Sequence, residues 1–247
     1  MSIKNILVSQ SAPRVLTQYQ TVSEKYGVEF HFRPFFKVEP LTSREFRAQR
    51  INLLDYTAVL FSSRHAIDAY FSLAEELRCK IPETMKYFCT TEAVAMYLQK
   101  HIVYRKRKIF YGTGTAESVL DLIGPKHKGE KFLVTMSDSA SPDAISALMS
   151  AAHLDFTIGV FVKSVSQDIK DLDLTKFDMI VFYNNSDVKS LYENFPDFKQ
   201  GNIKFVSYGR SIVKYMEEAG LEIAVKAPSP EAPSVARAIE LYLESLK

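Results

Sequence analysis

Ile6-Leu7-Val8-Ser9-Gln10-Ser11 returns 126 positions later as Phe132-Leu133-Val134-Thr135-Met136-Ser137. In both places a β-rich apolar run ends abruptly in small hydroxylated residues, the grammar of a buried strand entering a loop. Three further pairs keep the same order. Val59-Leu60-Phe61-Ser62-Ser63 parallels Ile180-Val181-Phe182-Tyr183-Asn184 at a spacing of 121, and CTTEAVAM (89–96) parallels GRSIVKYM (209–216) at 120. Ser118-Val119 with Ile123 parallels Ser234-Val235 with Ile239 at 116. Identities are few, but four ordered matches with slowly drifting spacing define an internal duplication of about half the chain.

A helical pattern follows each matched run. Ser63 is placed to cap a helix whose apolar residues Ile67, Tyr70, Phe71 and Ala74 fall at helical spacing. After the strand KYFC (86–89), Val94, Tyr97 and Leu98 form one helix face; RKIFYG (107–112) leads through a Gly-rich turn to a helix over 118–123. The second half repeats the scheme with MIVFY (179–183), NIKFVSYG (202–209) and LEIAVKA (221–227). Strands alternating with helices predict an α/β class with two parallel sheets of four or five strands each. HFRPFFKV (31–38) and IGVFVKSV (158–165) break the alternation at equivalent places, and we expect them to be paired connectors between two lobes. Thr42-x-x-Glu45 reads as a capping box opening the next helix.

Composition narrows the class. Of 247 residues, 47% are hydrophobic and 24% charged, too apolar for a disordered chain. Thirty-one Lys and Arg against 29 Asp and Glu leave a net charge of +2, without the basic excess of a dedicated nucleic-acid binder. Cys79 and Cys89 make neither a disulfide framework nor a paired CxxC metal site, and we expect them reduced. The apolar run after Lys4 is too short for a signal-peptide core, and nothing approaches the ~20 apolar residues of a membrane span. The expected location is cytoplasmic, with no membrane partner.

In open parallel sheets ligands bind beyond the carboxyl ends of the strands. The loops expected there are 9–11, 62–65, 90–91, 111–115, 135–139, 183–186, 208–211 and 227–229, and hydroxyls, amides and small residues dominate them. Helix N-termini aim backbone N–H groups outward at such points and favour anions. Two lobes facing each other there would form a cleft for a multiply carboxylated ligand, although each Ser or Thr taken singly also reads as an N-cap. Standard catalytic signatures are missing: no Walker loop, HExxH or GxSxG occurs. Gly112-Thr113-Gly114 starts a GxGxxG but has Glu117 where the third glycine belongs, leaving a nucleotide site a remote option. The five histidines lack ligand spacing, so no metal is expected; His65, in a strand-end loop, reads as an exposed structural residue ahead of a proton donor. The basic run Tyr104–Lys108 reads as a solvated edge strand.

These blocks carry a resemblance. ILVSQ (6–10), LFSSRHAIDAYF (60–71), TTEAVAMYL (90–98), YGTGTAESVLDLI (111–123), VFYNNSDVKSLYENFPDF (181–198), SYGRSIVKYMEEAG (207–220) and APSPEAPSVARAIE (227–240) together resemble the uroporphyrinogen-III synthase family over nearly the whole chain. LFSSRHA is similar to that family's FTS-x-x-A motif. The resemblance implies two Rossmann-like (flavodoxin-like) lobes joined by a two-stranded ladder, with 1 to about 35 completing a lobe with 165–247 while 36–164 form the other. It implies a cofactor-independent hydro-lyase of haem (porphyrin) biosynthesis. Such an enzyme takes hydroxymethylbilane, a linear tetrapyrrole with eight carboxylates, inverts ring D, closes the macrocycle and releases water. It also implies a monomer. The expected carboxylate contacts are Ser9, Ser62, Ser63, Thr91, Thr113, Asn184, Ser186, Tyr208, Gly209, Arg210 and Ser211. At the place of the family's Y-x-T tyrosine the chain has Val162-Lys163-Ser164, so Tyr111, Tyr183 and Tyr208 are the candidates to assist loss of the hydroxyl. Val162, with Ile212 at another motif position, motivates a second reading: a family member that holds a tetrapyrrole or other polyanion without turning it over.

Overall fold

A computed structural model describes residues 3–246, apart from the side chains of Arg210 and Ser211. In chain order its strands are β1 (Asn5–Val8), β2 (Glu29–Phe32), β3 (Phe36–Pro40), β4 (Ala58–Phe61), β5 (Lys86–Cys89), β6 (Ile109–Tyr111), β7 (Lys131–Ser137), β8 (Asp155–Ser166), β9 (Met179–Phe182), β10 (Lys204–Tyr208) and β11 (Ile223–Ala227). Its helices are α1 (Thr17–Tyr26), α2 (Ser43–Arg47), α3 (Arg64–Glu76), α4 (Glu92–Tyr97), α5 (Ala116–Ile123), α6 (Asp143–Ala151), α7 (Asn185–Asn194), α8 (Arg210–Glu218) and α9 (Val235–Ser245). The chain divides into two compact units, one built from Met1–Lys37 and Val165–Lys247, the other from Val38–Ser164.

The first unit holds a five-stranded sheet in the order β11-β10-β9-β1-β2, all neighbours parallel. The inner strands β1, β9 and β10 are buried on both faces, which is why they read as largely apolar runs, while the edge strands β2 and β11 are only partly covered. Ile6 and Val8 of β1 join Met179 and Val181 of β9 against Val235 and Ile239 of α9. Leu7, Ile180, Phe182 and Phe205 point the other way, against Val188 and Leu191 of α7 and Met216 of α8.

The second unit repeats this arrangement with different chain connectivity. Its sheet runs β3-β8-β7-β4-β5-β6, and the five strands after β3 correspond in order to β2-β1-β9-β10-β11 of the first unit. Alternation recurs: Ala58, Leu60, Phe132 and Val134 face Val119 and Met149. Val59, Phe61, Tyr87 and Leu133 face Ile67, Tyr70 and Leu73. Both sheets are therefore doubly wound with the 2-1-3-4-5 order of flavodoxin-like folds. Each unit combines two strands from one copy of the duplication with three from the other.

Several local expectations change. HFRPFFKV is not one strand: Pro34 has no N–H to donate, and the run divides into β2, paired with β1, and β3, beside β8. Between them Phe35 is fully buried, packed edge-on against Phe182 at 6.1 Å, while its carbonyl accepts from the Gln167 amide at 2.8 Å. The 158–165 run is the distal part of the longer β8. With β3 added, the second sheet has six strands where four or five were expected. The basic run 104–108 is no edge strand either: residues 106–108 form a turn, Arg105 pairs with Glu83, and β6 begins only at Ile109. The capping box stands: Thr42 Oγ1 accepts from Glu45 N, and the Glu45 carboxylate accepts from Thr42 N at 2.8 Å.

Tyr70, in the middle of α3, is fully buried, and its hydroxyl has no hydrogen-bond partner. Such a group keeps its desolvation cost without compensation. Tyr70→Phe should therefore leave the unit as stable or raise its stability by ~1 kcal/mol; a clear fall in the thermal midpoint would show that the hydroxyl has a partner.

Candidate functional site

The order of each sheet reverses between β1 and β9 in the first unit and between β7 and β4 in the second, so each has its switch-point crevice beyond those strand ends. In the first unit the expected residues gather where β1, β9 and β10 end: Ser9, Asn184 and Gly209 follow those strands, Tyr208 is the last residue of β10, and Ser186 lies in the first turn of α7. Arg210 and Ser211 open α8, and their side chains are outside the described residues. Ser9 is 1% exposed with its hydroxyl sealed, so it faces inward rather than toward a ligand. Asn184 caps α7, its Oδ1 accepting from Ser186 N at 3.0 Å, and Ser186 itself is buried. Tyr183 and Tyr208 approach with ring centroids 5.4 Å apart. Tyr208 donates its phenol proton to the Pro233 carbonyl at 2.8 Å, tying β10 to the loop before α9. Burial and the adjoining Tyr19 hydroxyl push the Tyr183 phenol well above its ordinary pKa, so it stays protonated. Gly209 has φ +131°, which a side chain would strain, and its N–H donates to the Ala227 carbonyl at 2.7 Å.

Under this tip lies a residue that sequence reading missed. Asp187, three positions after the Asn184 cap, is fully buried. Its Oδ2 accepts from Tyr183 N at 2.8 Å and from Asn184 N at 3.1 Å. Burial pushes its carboxyl up to about 6, against the pull of those two amides and the nearby Ser9 hydroxyl. Neither Asp187 Oδ1 nor Ser9 Oγ completes a hydrogen bond of standard geometry. Asn-x-x-Asp is a capping-box spacing, the one signal that could have found it.

In the second unit Ser62 is exposed, Ser63 Oγ accepts from Ala66 N at 3.1 Å, and Thr91 Oγ1 accepts from Val94 N at 3.3 Å. The N-cap reading of Ser63, Thr91 and Asn184 is thus fulfilled, and their remaining hydroxyl or amide protons stay available. Thr113 is exposed on a turn closed by its own bonds: its N–H donates to Ser118 Oγ at 3.0 Å, Ser118 N–H to Thr115 Oγ1 at 3.2 Å, and Gly114 N–H to the Thr90 carbonyl at 2.8 Å. A Cβ on Gly112 would lie 2.3 Å from Ser118 Oγ. These amides are the ones a phosphate would need, and they are taken; the turn packs itself instead of cradling a nucleotide. Tyr111 is exposed and donates to Glu92 at 3.1 Å, which raises its pKa. Beyond β7 and β8, Ser139 Oγ lies 3.0 Å from Ser137 Oγ and 3.2 Å from Ser164 Oγ, while Asp138 accepts from Ser164 N at 2.9 Å.

The place of the family tyrosine is buried. Register slips between Met136, opposite Val160, and Ser137, opposite Val162, so β8 bulges. The bulge lets the successive residues Phe161 and Val162 both enter the core. A tyrosine at 162 would meet packed side chains. A cavity of about 200 Å³, lined by Ile81, Met85, Tyr87 and Ile109, sits at the amino ends of β5 and β6, away from the switch point. No His, Cys, Asp or Glu cluster able to hold a metal occurs among the described residues. No helix among them is long and apolar enough to cross a membrane.

Fold and strand tips define a duplicated, doubly wound α/β protein whose two units exchange halves of the repeat. A family model described as uroporphyrinogen-III synthase HemD matches residues 17–237, and the chain belongs to that family. Two solved structures share its fold. A uroporphyrinogen-III synthetase from Helicobacter pylori aligns over 99% of this chain and 100% of its own, at 17% identity and a TM-score of 0.60. A mutant uroporphyrinogen III synthase from Thermus thermophilus aligns over 98% and 99%, at 15% identity and 0.55. Among curated proteins no sequence matches the chain significantly.

Two outcomes follow from the geometry. Val162→Tyr should overpack the core and cost ~1–3 kcal/mol of stability, measured by denaturant unfolding, without any gain in turnover. Asp187 is neutral more readily folded than unfolded, so its contribution is complete below the unfolded pKa near 4 and is lost as pH rises through about 6. Compared with Asp187→Asn, the wild type should lose about 3 kcal/mol between pH 4 and pH 7; a difference that stays flat would place the carboxyl in contact with water.

Proposed function

We propose that the chain converts hydroxymethylbilane to uroporphyrinogen III, inverting ring D, closing the macrocycle and releasing one water. The observation that carries this is membership of the uroporphyrinogen-III synthase family across residues 17–237, on a fold shared with such synthases over nearly the whole chain. Enzymes of this family are lyases.

The chemistry asks little of the protein in bond-breaking power. An electron-rich pyrrole expels its own hydroxymethyl oxygen, leaving an azafulvene that a second pyrrole carbon attacks. What the protein must supply is conformation, because the linear chain closes without inversion when nothing holds it. Neutral donors are suited to holding it. Exposed Ser62 and Thr113, half-buried Ser63, Thr91 and Asn184, and the amides opening α3, α7 and α8 bind carboxylates without a fixed cation. Gly209 lets the chain leave β10 at a positive φ, with no side chain to occupy the space a substrate group would take. Ser9 serves from beneath, as support for the loop.

Among the tyrosines, Tyr183 is the best placed to protonate the departing hydroxyl. Tyr208 already donates to Pro233 and Tyr111 to Glu92, whereas the Tyr183 hydroxyl meets that of another phenol, Tyr19, with which it can exchange donor and acceptor roles. Its raised pKa keeps it a protonated hydrogen-bond donor to the leaving oxygen as charge develops there. Tyr208 then acts by orienting the Tyr183 ring.

The test is product analysis after incubation with enzymatically made hydroxymethylbilane. Type III product above the type I background is expected, and type I alone would refute the reading. Tyr183→Phe should reduce kcat about tenfold or more with little change in KM, while Tyr111→Phe should stay within a factor of two or three of wild type.

A further inference from the structure

The duplication supplies an internal control for the switch point. Ser9 of the first unit corresponds to Thr135 of the second, and Asp187 to Ala66. In the second unit everything is satisfied: the buried Thr135 hydroxyl donates to the Leu60 carbonyl at 2.9 Å, and Ala66 at the third helix position asks for nothing. The first unit instead buries a carboxyl and a hydroxyl there, whose remaining oxygens, Asp187 Oδ1 and Ser9 Oγ, meet only each other and without a hydrogen bond of standard geometry. A fully buried carboxyl carries a desolvation cost that its two backbone bonds offset only in part, and the equivalent helix of the second unit starts on the Ser63 cap without one.

What the carboxyl touches says what it does. Both of its backbone bonds go to the amides of Tyr183 and Asn184, the residues that carry the best-placed phenol and the α7 cap. Facing it are Ser9 from β1 and the Tyr183–Asn184 turn from β9 and α7; Tyr183 in turn meets Tyr19 of α1 and Tyr208 of β10. We propose that Asp187 is a positioning residue for the first unit's site, a buried carboxyl that sets the Tyr183–Asn184 turn through its protonation state and thereby tunes how that tip receives a polycarboxylate. This rests on the reading of the strand tips as carboxylate-binding. Ionised, Asp187 grips both amides through charge-assisted bonds but places a negative charge beneath the anion site. Protonated, it removes that charge and loosens the grip. The titration falls near neutrality because burial has already moved it there.

Two measurements on the full chain decide the matter. In ¹H–¹⁵N spectra of the wild type, the Tyr183 and Asn184 amides should shift together with one midpoint between pH 5 and 7. In Asp187→Asn those amides should stay fixed, and Ser62 and Ser63 of the second unit should stay fixed in both proteins. Kinetically, the variant-to-wild-type ratio of KM for hydroxymethylbilane should be near one at pH 5 and fall about threefold by pH 7.5, because only the wild type acquires the charge. Amides that do not titrate, or that titrate equally in the variant, overturn the proposal, as does a KM ratio independent of pH. A chain that shows the amide titration yet makes no type III product at any pH upholds the Asp187 anchor and overturns only the functional reading.

Discussion

Burial of the central strands on both faces is the constraint from which the rest follows. Once β1 lies between β2 and β9, and β4 between β5 and β7, their amides and carbonyls are consumed by neighbours and their side chains alternate into two apolar layers. Few polar side chains have a place along such strands, and Thr135 and Ser207, which do, give their hydroxyl protons to backbone carbonyls. Polar chemistry is displaced to the ends, where the backbone leaves the ladder and a helix begins. Ser63, Thr91, Thr115, Asn184 and Ser234 all sit at those exits, each accepting a backbone N–H that the new helix cannot satisfy.

With two copies of this plan in one chain, divergence is confined to the tips. The second unit's tips close on themselves: the Gly112–Ser118 turn consumes its own amides and Thr135 bonds across to β4. The first unit's tip is built differently, with two phenols in ring contact above a buried acid that meets the Ser9 hydroxyl. Architectural symmetry and chemical asymmetry coexist because the layers beneath are indifferent to what the loops carry.

Much of this was legible beforehand. Strand runs such as AVLF and MIVF are apolar at every position because both faces are covered, and β4 and β9 fall on them. The hydroxyls that follow were readable as caps, since a helix start must be satisfied locally. Other features depend on contacts distant in sequence. Nothing in FVKS announces that β8 slips register at Phe161 and so turns Val162 inward. Asp187 sits in Asn-Asn-Ser-Asp, a string with the composition of a solvated loop; only packing shows that the fourth residue is fully enclosed. Arg33-Pro34-Phe35 carried its warning in the proline, yet the aromatic residues around it imitate a continuous strand.

The interleaved topology also bears on biogenesis. All the strands of the second unit lie between residues 36 and 166, so it can close as soon as that stretch leaves the ribosome. β1 and β2 emerge earlier but have no sheet to join until β9 appears at residue 179. For more than a hundred residues of synthesis after β1, Ile6, Leu7 and Val8 wait for the neighbour that covers them. The strand order thus makes β1, and not the strands of the second unit, the part of this fold that depends on a distant segment for cover.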